Sequence, residues 1–230
     1  MGKQLRQQRR GRGSTLYRNP GHRQIGNIQY PRVDATTGRV EDLIHAPGRG
    51  SPLAKVDFDG EKVLMIAAEG MMVGKNITYG VAGEISPGNV VPLSKVPEGS
   101  FIYNIEGQPG DGGKFVRTAG TSATVVSRGD KVVVLMPSGS FKSFDPRCLA
   151  SIGVVAGGGM TDKPFGKAGA KFHAYRSKSK AHLRVKGQAM NAVDHPHGGG
   201  GHPQVGKPST VSRNAPPGRK VGRLSPKRRK

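Results

Sequence analysis

A chain of 230 residues with 34% hydrophobic residues, 36 glycines, 17 prolines and no tryptophan is too poor in apolar material to bury one core along its whole length. Its single cysteine, Cys148, excludes an intramolecular disulfide framework, and no apolar run approaches the roughly 20 residues needed to span a bilayer. The formal charge of +22 exceeds what solubility needs and implies a polyanionic partner, since self-repulsion on that scale disfavours compaction.

The charge is unevenly placed. Residues 1–32 hold eight Lys/Arg and no acid, residues 33–162 hold 12 against 14 acids, and residues 163–230 hold 17 against Asp194 alone. The middle therefore reads as a self-sufficient fold and the two ends as polyanion ligands. Residues 1–35 form a basic extension with no apolar stretch after Met1–Arg12, unlike a secretory signal. The ends also lack the Trp/Phe/Leu face of a membrane-surface helix, so no membrane partner is expected.

From residue 36 to 109 the pattern is one of short strands. Leu53–Phe58 alternates in polarity, Asp59-Gly60 is a strong hairpin signal, and Glu61–Ile66 returns. Further strands are expected at 76–81, 89–96 and 100–105, punctuated by Pro87-Gly88 and Pro97-Glu98-Gly99. A second β unit, 110–186, begins after the turn-rich 108–113. It contains a hairpin of 123–128 and 131–136 about Gly129-Asp130, then Phe141–Phe144, then a closing strand at 149–155. Two small barrels fit this spacing better than alternating helices and strands. A short helical segment is expected at 167–176. From 187 to 230 the chain is Gly, Pro, His and basic residues, which on its own buries too little to offset the entropy of ordering.

Three features carry chemistry. Arg6, Arg9, Arg10 and Arg12 at one end, with Arg219, Lys220, Arg223, Lys227, Arg228, Arg229 and Lys230 at the other, put many cations on flexible backbone, as phosphate binding by counterion release requires. Gly48-Arg49-Gly50 and Gly218-Arg219 let backbone approach a phosphate while a guanidinium forks onto it. Only 5% of residues are aromatic, so folded RNA read by shape and backbone is expected over base stacking. The third is Asp194-His195-Pro196-His197-Gly198-Gly199-Gly200-Gly201-His202. Its His-x-His spacing permits metal chelation, and Asp194 beside His195 permits a general-base reading. The run lacks a Cys ligand, its glycines oppose a rigid site, and no nucleophile or P-loop motif accompanies it. A glycine-rich loop whose histidines hydrogen-bond RNA is the reading it favours.

The run Met190-Asn191-Ala192-Val193-Asp194-His195-Pro196-His197-Gly198-Gly199-Gly200 closely resembles the signature of the ribosomal protein L two family, the universal second protein of the large ribosomal subunit. Val205-Gly206-Lys207-Pro208, Asn214-Ala215-Pro216-Pro217-Gly218-Arg219-Lys220-Val221-Gly222 and the opening 2–13 resemble its archaeal and eukaryotic branch, and the compact length is similar to archaeal members. His197 departs from that branch, which often carries Phe there.

The resemblance implies an all-β protein: an OB-fold barrel at 36–109, an SH3-like barrel at 110–186, and basic irregular extensions at 1–35 and 187–230. It implies that Arg49 and Arg117, on the inner face between the barrels, bind rRNA, and that Asp194, His195 and His197 lie near the peptidyl-transferase centre. A structural constituent of the large subunit is expected, cytoplasmic in the ribosome, that binds large-subunit rRNA, organises the peptidyl-transferase region and supports subunit association and tRNA binding. Its implied partners are that rRNA, neighbouring ribosomal proteins and the small subunit through an intersubunit contact. No enzymatic activity, bound metal or cofactor is expected, Mg2+ entering only with the rRNA. The rival readings are a free RNA chaperone or translation factor of OB/SH3 type, and a metalloenzyme using Asp194, His195 and His197.

Overall fold

The Asp59-Gly60 turn sets the first sheet. Both residues take positive φ, 49° and 98°, as a tight two-residue hairpin demands, and the Gly60 N–H donates to Asp57 Oδ1 at 2.8 Å. The flanking strands, β2 (Leu53–Phe58) and β3 (Glu61–Ile66), pair antiparallel from Leu53↔Ile66 to Phe58↔Glu61. The computed structural model describes residues 2–31, 37–80, 83–178, 180 and 182–226. Two further strands, β1 (Thr37–Ile44) and β4 (Asn76–Thr78), complete an antiparallel sheet in the order β3-β2-β1-β4.

The strand β1 is not anticipated by the sequence pattern. Its burial alternates only as far as Val40 before a bulge between Val40 and Asp42 breaks the register. Gly38 within it is a packing requirement, because a Cβ there would sit 2.6 Å from the Phe58 ring. The strand expected at 76–81 ends at Thr78, and residues 81 and 82 lie outside the described residues.

The second sheet contains β5 (Val90–Pro92), β6 (Phe101–Tyr103), β7 (Ala123–Ser127), β8 (Val132–Leu135), β9 (Phe141–Phe144) and β10 (Leu149–Ile152), in the order β5-β10-β6-β7-β8-β9. The sequence reading groups 89–96 and 100–105 with the first barrel; the structure pairs them in this sheet instead. The cause is β10, which returns some fifty residues later in sequence to lie between β5 and β6, with Leu149 opposite Pro92 and Ser151 opposite Tyr103. A pairing so distant leaves no local trace. Pro92 cannot donate to a ladder, which suits β5 to the sheet edge it occupies, and the chain there turns into a short 3-10 helix, Leu93–Lys95.

Apolar burial follows the two sheets. Val40, Val56, Phe58, Val63, Met65 and Ile77 form one cluster, and Val91, Ile102, Val125, Val134, Phe144 and Ile152 another. Leu53, Ile66, Tyr103 and Val155 join in a third with Ile28. Ile28 and Tyr30 lie in the stretch that its charge marks as extension, yet both are buried. The Tyr30 hydroxyl donates to Asn104 O at 2.6 Å and lies 3.0 Å from Ser151 Oγ. Basic neighbours hide these two anchors from any average over charge.

The chain divides into two compact units, Gly21–Gly166 and a terminal unit made of Met1–Pro20 with Lys167–Lys230. In the terminal unit, α1 (Arg6–Gly11) opens with the Leu5 N–H donating to Gln8 Oε1 at 2.9 Å. The helix α2 (Ala168–Arg176) falls within the expected 167–176. Two short parallel strands, β11 (Thr210–Val211) and β12 (Arg223–Leu224), pair Thr210 with Arg223 and Val211 with Leu224. Among the described residues of this unit only Leu5 and Val221 are buried.

Candidate nucleic-acid interface

Two of the expected site residues, Arg49 and Arg117, are presented by loops of the β unit. Arg49 follows a tight turn in which Gly48 takes φ 83° and the Arg49 N–H donates to Ala46 O at 3.1 Å. Arg117 ends a loop held by two carboxylates. Buried Glu106 accepts from the N–H groups of Gly110, Gly112 and Leu149 at 3.2, 3.0 and 2.9 Å. Asp111 accepts from those of Gly107, Gln108 and Gly113 at 2.9, 3.2 and 3.0 Å. Burial pushes the Asp111 carboxyl up, but hydrogen bonds from Gly107, Gly113, Lys114 and Gln108 together take it below the usual range.

So anchored, Gly113 O accepts from Arg117 Nη1 at 3.0 Å. The residue before Arg117 is strained: Val116 takes φ 55°, a conformation β-branched residues avoid. Three loops converge on glycines beside this pair. A Cβ at Gly50 would lie 2.8 Å from Met160 Cε and 3.3 Å from Ala119 Cβ, and one at Gly120 would lie 2.7 Å from Gly158 Cα. The approach of backbone to backbone at Gly120, which also takes φ 71°, explains a glycine there.

The electrostatics of the pair point to an anion. Burial, and then the charge of Arg49, lower the Arg117 pKa from its ordinary value, though a guanidinium stays charged. Among the described residues, Arg117 Nε is buried without a hydrogen-bond partner and neither arginine forms an ion pair. Two like charges are thus held together, one of them partly desolvated.

In the terminal unit the Asp194–His197 loop is folded on itself. Asn191 O accepts from the Asp194 and His195 N–H groups at 3.0 and 3.2 Å, and the Gly198 N–H donates to His195 O at 2.9 Å. The ring of His195 is pinned: its Nδ1 accepts from the His197 N–H at 3.0 Å, and a Cβ at Gly187 would fall on it. Neutral His195 therefore carries its proton on Nε2. Burial, then the charges of His197 and Lys207, lower its pKa from the usual value.

Asp194 does not orient His195. It pairs with Lys3 Nζ at 3.1 Å, beside the bond from the Lys3 N–H to Val193 O at 2.8 Å, and Arg6 Nη1 donates to Leu183 O at 2.8 Å. Lys3 and Gly187 are neighbours of this loop that sequence reasoning missed, Lys3 because no local pattern reports a contact across nearly the whole chain. Among the described residues no group of three or more His, Cys, Asp or Glu could hold a metal ion, and no helix is long and apolar enough to cross a membrane.

Of the C-terminal cations, Arg219, Lys220 and Arg223 are exposed; Lys227, Arg228 and Arg229 lie outside the described residues. The structure thus brings Arg49 to Arg117 within the β unit, and Asp194, His195 and His197 together within the terminal unit.

Two family profiles match the chain: "Ribosomal Proteins L2, RNA binding N-terminal domain" over residues 2–79, and "Ribosomal Proteins L2, C-terminal domain" over residues 86–220. "Large ribosomal subunit protein uL2" of Thermoplasma acidophilum is 54% identical over 231 residues, covering 100% of this chain and 98% of the relative. Proteins of the same name from Methanothermobacter thermautotrophicus and Haloarcula marismortui are 51% and 49% identical, each across 99% of this chain and 98% and 97% of their own lengths. With its antiparallel sheets and few short helices, the fold is the all-β arrangement of an OB-fold followed by an SH3-like domain. The chain belongs to the ribosomal protein L2 family, of archaeal type.

Proposed function

We propose that this protein is a structural constituent of the large ribosomal subunit in the cytoplasm, binding large-subunit rRNA at two kinds of surface. Arg49 and Arg117 clamp the backbone of folded rRNA, while Arg219, Lys220, Arg223, Lys227, Arg228 and Arg229 neutralise phosphate along the C-terminal extension. The observation that carries this reading is the like-charged pair of Arg49 and partly buried Arg117, whose Nε has no hydrogen-bond partner among the described residues. Neighbouring ribosomal proteins are partners in the same assembly, and no cofactor is required beyond the Mg2+ of the rRNA.

The loop of Asp194, His195 and His197 organises the peptidyl-transferase region and, with it, supports tRNA binding and subunit association through a contact with the small subunit. Its role is positional. His195 offers Nε2–H as a fixed donor because its Nδ1 is engaged, and Asp194 is engaged by Lys3, so the pair is not arranged as an acid–base relay. This favours a structural protein over a metalloenzyme.

The clamp is tested by rRNA binding of Arg117→Ala and Arg117→Lys chains. Loss of bidentate geometry predicts that Lys restores little of what Ala removes, a loss of roughly 1.5–3 kcal/mol. Equal affinity of all three chains contradicts the clamp. For the loop, His195→Ala in fully assembled subunits should impair the RNA arrangement around the site, read by chemical probing; normal probing with abolished peptide-bond formation contradicts the positional role.

A further inference from the structure

The cavity beside His197 is a part of the terminal unit to which the reading above gives no occupant. Its volume is about 640 Å³, within the roughly 300–1,000 Å³ of ligand pockets and far larger than a phosphate needs. It lies wholly within residues 196–221. Val211 and buried Val221 give it apolar walls, and Pro196, Pro208 and Pro216 add flat C–H faces. Lys207 and Arg219 bring positive charge to its lining, which contains no acid.

The walls are built by particular contacts. The parallel pairing of β11 with β12 sets Val211 opposite Leu224. Gly222, with φ 79°, has no room for a side chain, since a Cβ would lie 2.6 Å from Ser209 O and 3.0 Å from His197 Cε1. The His197 ring is thereby seated against backbone, and it meets the His195 ring edge-on at a centroid distance of 5.1 Å. Thr210, Ser212 and Asn214 supply hydroxyl and amide groups to the lining.

We infer that this cavity is a socket for one unstacked nucleotide of the rRNA. The base lies between the His197 ring and the proline faces, Asn214 and its hydroxyl neighbours meet the base edge, and Lys207 and Arg219 hold the flanking phosphate. Splayed-out bases held by ring stacking and edge hydrogen bonds are the means by which proteins recognise single-stranded RNA elements. A free mononucleotide has the same chemistry. The terminal unit favours the polymer, because its 22 Lys/Arg stand against one acid, Asp194. The inference rests on the rRNA-binding reading and assigns a ligand to one part of it.

The test uses the full chain in assembled large subunits. Zero-length photocrosslinking of the unaltered protein should join His197 or its cavity neighbours to a single rRNA nucleotide. Val211→Trp and Ala215→Trp, each of which adds bulk to the cavity lining, should leave the chain sedimenting with large subunits while raising chemical reactivity at that nucleotide's base edge roughly tenfold, the scale of one lost stacking contact. Crosslinks running to polypeptide instead of RNA overturn the inference, as does base reactivity unchanged by both substitutions. Saturable binding of AMP or GMP to the RNA-free chain, competing with no rRNA contact, assigns the cavity to a free nucleotide and also overturns it. Failure of the unaltered chain to sediment with large subunits would instead remove the rRNA-binding reading itself.

Discussion

The two units of this protein are held in opposite ways. Residues 21–166 carry 15 Lys/Arg against 14 acids, leaving one net positive charge, whereas the terminal unit carries 22 against Asp194 alone. The β unit buries three apolar clusters and satisfies even a buried carboxylate, Glu106, with three backbone donors. The terminal unit buries only Leu5 and Val221 among its described residues. One unit is stabilised by removing its own surface from water; the other concentrates charge that an external polyanion must neutralise. The buried core and most of the net positive charge are thus separated along the chain, with Arg49 and Arg117 set on the core unit.

The sharpest way to break this comparison is salt. If some 6–10 terminal cations meet phosphates, rRNA affinity should fall by roughly 10³–10⁵ between 50 and 200 mM salt. Removing residues 187–230 should flatten that slope and leave the melting of the β unit unchanged. An unaltered slope would place the phosphate contacts elsewhere.

Core truncation sharpens the other side. Phe58→Ala removes a fully buried ring from between Gly38 and Tyr79 and should cost roughly 3–5 kcal/mol in denaturant unfolding. In the terminal unit, Leu224→Ala, at an exposed position, should change unfolding by less than about 0.5 kcal/mol. Similar costs at both positions would contradict the division.

A pH titration separates the units further. The His195 pKa is lowered, by burial first and by His197 and Lys207 after it. The folded loop thus binds fewer protons than the unfolded chain, so its contribution is full above the unfolded value near 6.5 and is lost as pH falls through the lower folded value. Imidazole NMR should show His195 titrating below an ordinary histidine, and His197→Ala should move it back upward. The smallest effect belongs to Lys3→Ala. Its ion pair with Asp194 is largely exposed on the Lys3 side, and its loss should cost no more than about 1 kcal/mol, read as faster amide exchange of residues 193–198 in the rRNA complex.

What the sequence disclosed follows the same division of local from distant causes. The Asp59-Gly60 hairpin, Phe141–Phe144 and the helix at 168–176 are legible because turn chemistry and alternation act within a few residues. The position of β10 between β5 and β6 is not, because antiparallel partners far apart in sequence share no local pattern. The candidate site divides likewise. The His195 loop and the cationic extension stand out by composition and motif, and Arg49 and Arg117 by family resemblance. The orphaned Nε of Arg117, the strained Val116 and the engagement of Asp194 by Lys3 exist only once the chain has folded.

The central claim is that the β unit folds on its own burial while the terminal unit is ordered by RNA. Hydrogen exchange of the full chain with and without large-subunit rRNA tests it most directly. The account predicts slow exchange at β2, β3, β7 and β8 in both states, and residues 187–226 exchanging within seconds alone but protected in the complex. Equal protection of residues 187–226 in the RNA-free chain would contradict it.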